Sequence, residues 1–273
     1  LKNILTIDLE DWYQGIELAP SAWDSCESRI EHSVGKLLEL LDESGTKATF
    51  FVLGYVAENC PHLVREVSSQ GHEIGTHGYS HQLIYKINPS EFSSDIKKSL
   101  CILEDITGKA VKGHRAPYFS ITNKSLWALD ILVENGIHYD SSIFPINNYR
   151  YGIPDAPRHP YRIETKNGYI LEIPISTVRL FSKNLSFTGG FYLRFFPYRL
   201  IKQAIKKIND EGLSAVVYLH PWELDPDHPR LNLPLRISLT HYHNLASTEK
   251  KLRALLNDFE FQPVTSMINE IDK

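Results

Sequence analysis

The stretch Gly71-His72-Glu73-Ile74-Gly75-Thr76-His77-Gly78-Tyr79-Ser80-His81 decides how the rest of the chain reads. It ends in two histidines four residues apart, His77 and His81. That spacing places two imidazoles on one face of a helical turn. Histidine is the commonest protein ligand for zinc-like metals, and two histidines with one carboxylate make an open, catalytic type of site. The chain holds 12 histidines, so a chance pair is the competing reading. The setting favours ligands. Ile74 lies in a short apolar stretch with glycines on both sides, the pattern of a strand end feeding a tight turn,.

Outward from there the chain alternates strands and helices. Asn3 to Ile7 is a short apolar strand that stops at the acidic run Asp8-Leu9-Glu10-Asp11,. Val34, Leu37, Leu38 and Leu41 give residues 29–43 a helical apolar face,. Residues 48–53 read as a buried strand, and Pro61 opens a helix that ends near Gly71,. Pro89 starts a long helix that Gly108 ends, and Asn123 is the expected cap of the next,. Strands are expected at 111–115, 137–140, 169–175 and 214–219, with helices at 198–209 and 247–257 and a short strand and helix over 261–271. This alternation predicts an α/β fold with a parallel sheet, most simply a barrel, as a single domain over residues 1–273,. Two stretches, 141–168 and 221–245, break the alternation and are expected to be rim loops,.

Composition excludes other classes. With 42% hydrophobic residues over 273 positions there is enough for one large core,. A net charge of -4 gives no signal for nucleic acid or an anionic membrane,. Cys26, Cys60 and Cys101 are odd in number and form no CxxC, so a disulfide framework is not expected and a reducing, cytoplasmic setting is,. Leu1 to Ile7 reads as a strand and not as a signal peptide, and no run of 18 apolar residues forms a transmembrane segment,.

Four polar residues share one feature. Asp8, His77, Arg115 and His220 each stand at the end of a short apolar strand. The carboxyl ends of parallel strands open on one face of a barrel, and that face carries the site. A turn hydrogen bond is the plainer explanation for any one of them, but a poor one for all four.

The segments Thr6–Asp11, Gly71–His81, Gly113-His114-Arg115-Ala116-Pro117-Tyr118 and Val217-Tyr218-Leu219-His220 resemble, in order, the motifs of the polysaccharide deacetylase family, the NodB-homology group or carbohydrate esterase family 4. Residues 139–145, 188–194 and 220–226 further resemble a subgroup associated with exopolysaccharide export clusters. The resemblance implies a distorted (β/α)7 barrel, one divalent metal (zinc first, then cobalt or nickel) and hydrolysis of N-acetyl groups on an amino-sugar glycan or glycan precursor. It implies that His77 and His81 hold the metal, Asp8 is the base, Arg115 holds that base, Tyr118 offers its backbone N–H to the oxyanion and His220 is the general acid. The chemistry of the residues agrees. A metal with an open position polarises a carbonyl and activates water, a carboxylate takes the water proton, and a histidine can protonate the leaving amine. Arg115 also reads as a structural ion pair, and Tyr118 as a packed aromatic.

The first motif departs from the adjacent Asp-Asp that many family members carry. Glu10 is the expected third ligand, because Asp8 and Glu10 share one side of an extended chain, and Asp11 is the candidate that a bend would bring inward,. Asp140 is a candidate to orient His220, with turn capping the alternative. Trp222, with Trp12, Tyr13, Tyr118, Phe119, Phe191 and Tyr192, is a candidate glycan contact or core aromatic. Two rival functions remain: hydrolysis of a small cyclic amide, and glycan binding without catalysis. The expected partner is an N-acetylated glycan; the sequence does not fix an oligomeric state.

Overall fold

The computed structural model describes residues 1–16, 18–148 and 150–271. The strands are β1 (Asn3–Leu9), β2 (Thr49–Val52), β3 (Glu73–Thr76), β4 (Gly113–His114), β5 (Tyr139–Asp140) and β6 (Tyr161–Thr165). They continue with β7 (Gly168–Glu172), β8 (Val178–Leu180), β9 (Lys183–Leu185), β10 (Val216–Leu219) and β11 (Phe261–Gln262). The chain falls into two compact units, Leu1–Ala48 with Phe187–Lys273, and Thr49–Ser186.

In the unit Thr49–Ser186, β2, β3, β4, β5 and β7 pair in parallel in that order, and β6 joins β7 antiparallel. Helices Gly54–Asn59 and Pro61–Ser69 lie between β2 and β3, Pro89–Thr107 between β3 and β4, and Trp127–Glu134 between β4 and β5. The register explains why the polar motifs sit at one level. Thr76 pairs with His114, His114 with Asp140, and Asp140 with Glu172. His77, Arg115 and Ser141 therefore all leave the sheet one residue beyond the same row.

Local sequence sets the helix ends. Asn88 Oδ1 accepts the Glu91 N–H at 3.0 Å, and Glu91 Oε2 accepts the Asn88 N–H at 2.9 Å. This reciprocal cap starts Pro89–Thr107, and Gly108 with φ 66 ends it, as Pro89 and Gly108 predict,. Asn123 does not cap the following helix, which begins at Trp127; Ser125 Oγ takes the Thr122 N–H in the turn before it.

In the other unit, β1 pairs in parallel with β10, Thr6 opposite Tyr218 and Ile7 opposite Leu219, and β11 joins the start of β1. That register sets Asp8, which is still within β1, level with His220, the first residue past β10. The helix Ile30–Glu43 buries Ile30, Val34, Leu37, Leu38 and Leu41, one stripe at helical spacing,. Each such side chain contributes roughly 1.5–3 kcal/mol against the entropy of ordering.

The α/β class holds, with parallel strands and following helices. Within neither unit do the strand pairings of the described residues close a ring. The stretch expected as one rim loop over 141–168 contains β6, which returns along β7. The second, 221–245, contains a 3-10 turn at Pro221–Leu224 and a helix at Leu235–Tyr242. The hairpin β8–β9 was not expected from the sequence. Among the described residues no helix is long and apolar enough to cross a membrane.

Candidate metal centre and proton-transfer pair

His77 and His81 are buried, with ring centroids 5.2 Å apart. The helical turn expected of them is absent. β3 ends at Thr76, and the chain runs on as a loop in which Gly78 holds φ 71 and His81 φ 53. Asp95, from the helix Pro89–Thr107, pins this loop. Its carboxylate accepts the Tyr79 N–H at 2.6 Å and the Ser80 N–H at 3.1 Å, and also the Ser80 hydroxyl. The Gly78 carbonyl in turn accepts the Gly54 N–H at 2.8 Å. His77 Nδ1 lies 2.8 Å from the Arg115 carbonyl and donates to it, so Nε2 is the ring atom that a metal would take,.

Arg115 is fully buried. Its Nε donates to Ser141 O at 3.0 Å and its Nη2 to Ser141 Oγ at 2.8 Å, with the guanidinium over the Phe51 ring. Tyr118 and the next residue, Phe119, both hold positive φ, 55 and 53. Two bulky residues in the left-handed region are strained, and such strain clusters at functional sites. The Tyr118 ring meets His81 edge-on at 4.6 Å and carries the Arg150 guanidinium at 3.9 Å. Phe119 is core, against Phe144.

Asp8, Glu10 and Asp11 are all buried, and the structure separates their roles. Asp11 is spent on local structure. Its Oδ1 accepts the Trp12 N–H at 2.8 Å, and its Oδ2 accepts Ser28 Oγ at 2.7 Å and the Arg29 N–H at 3.0 Å, just ahead of the helix Ile30–Glu43. Glu10 has space kept for it by Gly15, where a Cβ would stand 3.1 Å from Glu10 Oε1. Glu10 in one unit, and His77 and His81 in the other, are buried side chains of the types that bind metal. Two imidazoles and a carboxylate fit a divalent ion of the zinc type.

His220 is oriented by a residue that the sequence reading missed. Glu223 Oε1 accepts both the His220 backbone N–H at 3.0 Å and Nδ1–H at 2.8 Å. The other oxygen of Glu223 pairs with Arg194 Nε at 2.6 Å. His220 Nε2 is left to face Asp8 Oδ2 at 3.9 Å and Glu10 Oε1 at 3.7 Å. Burial alone would lower the His220 pKa, but Glu223, Glu10 and Asp8 outweigh it and push it up to about 9. The place expected of Asp140 is thus held by Glu223. Asp140 instead bonds His114 Nδ1 at 2.6 Å and Ser142 Oγ at 2.7 Å. The one signal for Glu223 was its position three residues after His220, the spacing of a reciprocal cap.

Trp222 is buried, stacked with His241 at 4.2 Å and with His220 at 5.2 Å, the setting of a core aromatic. Trp12 is likewise buried, stacked on His228, and Tyr13 is core; Phe191 and Tyr192 are half-buried. Gly189 and Gly190 lie against β10 just before His220. A Cβ on Gly189 would stand 2.3 Å from the Tyr218 carbonyl oxygen. Gly189→Ala is expected to destabilise the protein by about 1–3 kcal/mol, read as a fall in Tm. An unchanged Tm would mean that β10 yields there.

The Arg194–Glu223 pair gives a second prediction. Arg194 also donates to the carbonyls of Thr240, His241 and His243. Burial raises the Glu223 pKa, but Arg194 and His220 overcome it and bring it from 4.5 to about 2. A depressed acid stabilises the fold above its unfolded pKa and loses that contribution as pH falls through the folded one. About 3 kcal/mol of stability should therefore disappear as pH drops from about 4.5 to 2. Arg194→Met should cost about 3–5 kcal/mol near neutral pH by stranding a buried carboxylate. Urea unfolding across pH checks both, and a flat profile in the parent protein would contradict them.

Residues 21–138 match the family model for polysaccharide deacetylases, and residues 141–269 match a domain of unknown function, DUF3473. A peptidoglycan-N-acetylglucosamine deacetylase of Bacillus cereus is 41% identical over 96 residues, 35% of this chain and 35% of that protein. A chitin deacetylase of Arthroderma benhamiae is 26% identical over 67% of this chain and 46% of its own length. The chain thus spans about a third to a half of these relatives. A Mycobacterium smegmatis crystal structure, provisionally described as a polysaccharide deacetylase, covers 99% of this chain and 91% of its own with TM-score 0.64 at 20% identity. That likeness concerns the fold. Taken with the motif residues above, the matches show that residues 21–138 are similar to the polysaccharide deacetylase family.

Proposed function

We propose that the chain is a metal-dependent hydrolase that removes N-acetyl groups from an amino-sugar glycan or glycan precursor, in exopolysaccharide or cell-surface polysaccharide biosynthesis. The observation that carries this reading is the buried His77/His81 pair, ring centroids 5.2 Å apart, with Glu10 as the third ligand we assign to it. Zinc suits two imidazoles and one carboxylate, and a His77 ring whose Nδ1 is already engaged by a carbonyl,. The ion, when bound, supplies Lewis-acid polarisation of the amide carbonyl and of the attacking water.

The residues of the chain do the rest. Asp8 accepts the proton of the water. His220, held through Nδ1 by Glu223, keeps Nε2 for the leaving nitrogen and hands it a proton,. The Tyr118 backbone N–H, fixed in an unusual conformation, is assigned to the developing oxyanion,. Arg115 is assigned to hold Asp8, its own geometry fixed by Ser141. The curated relatives named for peptidoglycan N-acetylglucosamine and for chitin support an N-acetylglucosamine-type sugar.

The test is acetate release from N-acetylglucosamine oligomers of increasing length, with a small cyclic amide as the alternative substrate. Acetate from the oligomers and no turnover of the cyclic amide is the expected result. Turnover of the cyclic amide alone, or tight oligomer binding without acetate, would overturn the reading.

A further inference from the structure

The hairpin β8–β9 takes no part in the chemistry above. Val178 pairs with Leu185, Arg179 with Asn184 and Leu180 with Lys183, so Phe181 and Ser182 make the turn. Alternation puts Val178, Leu180, Lys183 and Leu185 on one face and Arg179 and Asn184 on the other. Val178 is buried at the base, but Leu180 and Leu185 are 39% and 41% exposed, and Phe181 is fully exposed. Single apolar side chains on a surface are ordinary. Three large ones within six residues at a hairpin tip are not.

The backbone makes the tip more unusual. Phe181 holds φ 53. A two-residue hairpin turn that needs positive φ at its first position favours glycine there. Phenylalanine is strained in that conformation and exposes an aromatic ring to water. Neither propensity nor core packing accounts for it.

The charges complete the pattern. Between Ser176 and Phe187 the charged residues are Arg179 and Lys183, with no acid, in a chain of net charge -4. Arg179 Nη1 donates to Asn184 Oδ1 at 3.2 Å, and Asn184 Nδ2 donates to the Pro145 carbonyl at 2.8 Å. The base of the hairpin is tied down further by Arg158, whose Nη2 donates to Thr177 O at 2.6 Å. The tip is thus presented on an anchored stem.

An aromatic and aliphatic tip flanked by two cations suits the boundary of an anionic bilayer. The ring and leucines enter the acyl edge, and the cations meet the headgroups. We propose that β8–β9 is a membrane-docking finger that inserts Phe181, with Leu180 and Leu185, into an anionic lipid surface. A sugar platform is a poorer match, because it pairs a ring face with hydrogen-bonding neighbours, and the neighbours here are leucines. One small apolar tip with two cations gives weak, reversible attachment. Vesicle binding needs no catalysis, so this inference stands or falls separately from the deacetylase reading.

The experiment is co-sedimentation of the full chain with vesicles of phosphatidylcholine alone and of phosphatidylcholine with phosphatidylglycerol. Binding should be measurable on the anionic vesicles at low salt and weaker on the neutral ones. Phe181→Gly suits the turn, so it should keep or raise Tm while lowering the partition coefficient roughly tenfold or more. Arg179→Gln with Lys183→Gln should weaken anionic binding and remove most of its salt dependence. No binding to anionic vesicles, or equal binding by Phe181→Gly, overturns the proposal. So does a Phe181→Gly protein that loses affinity for N-acetylglucosamine oligomers but sediments with vesicles like the parent; that result would make the finger a glycan contact.

Discussion

His220→Ala is expected to lower turnover for acetate release roughly 10²- to 10⁴-fold, with metal content and Tm close to the parent protein. An amine is a poor leaving group until it is protonated, so a donor is needed at the point where the amide breaks. His220 is built for that. Glu223 fixes its ring through Nδ1 and its backbone through the same oxygen, and Nε2 faces Asp8 at 3.9 Å. Its partial exposure leaves a path to substrate. Glu223→Gln keeps an acceptor at the same place but removes the charge, so it should lose less turnover than His220→Ala. Single-turnover acetate release separates chemistry from binding, and a His220→Ala protein with near-parent rates would move the acid to another residue.

Glu10→Gln and Asp11→Asn should fail in opposite ways. Glu10 is the third ligand proposed beside His77 and His81, whereas Asp11 accepts from Trp12, Ser28 and Arg29. Glu10→Gln is therefore expected to lose stoichiometric metal and roughly 10²-fold or more in rate, the scale of several kcal/mol of transition-state stabilisation. Asp11→Asn should keep its metal and lose about 1–2 kcal/mol of stability, as for a lost helix-start acceptor. Elemental analysis and thermal melts of both variants decide it. Metal retained by Glu10→Gln and lost by Asp11→Asn would exchange the two assignments.

Much of this was readable because, within each unit, parallel strands in register end at one level. The apolar runs before Asp8, His77, Arg115 and His220 marked the strand ends, and the pairings of Thr76 with His114 and of Ile7 with Leu219 follow from them. The His77/His81 spacing pointed to a pair but not to its geometry. Four residues suit a helical turn or a loop, and the deciding features, the left-handed His81 and the Asp95 clamp, come from backbone strain and a distant helix. Asp140 stood at a strand end and so attracted a role that Glu223 fills. Nothing local distinguishes a carboxylate that caps its own neighbour from one that merely follows it. Trp222 looked like a glycan contact because its motif is chemical, yet it is buried, stacked with its near neighbour His220 and with His241 nineteen residues on. The hairpin β8–β9 was illegible for a different reason: Val178 to Leu185 has neither Gly nor Asn at the turn, and Phe181 takes the positive φ itself,.

The most direct test of the account is acetate release from N-acetylglucosamine oligomers by protein stripped of metal, verified metal-free, and then titrated with zinc. The account predicts no release from the stripped protein and full restoration at one zinc per chain. Undiminished release by the metal-free protein would contradict it.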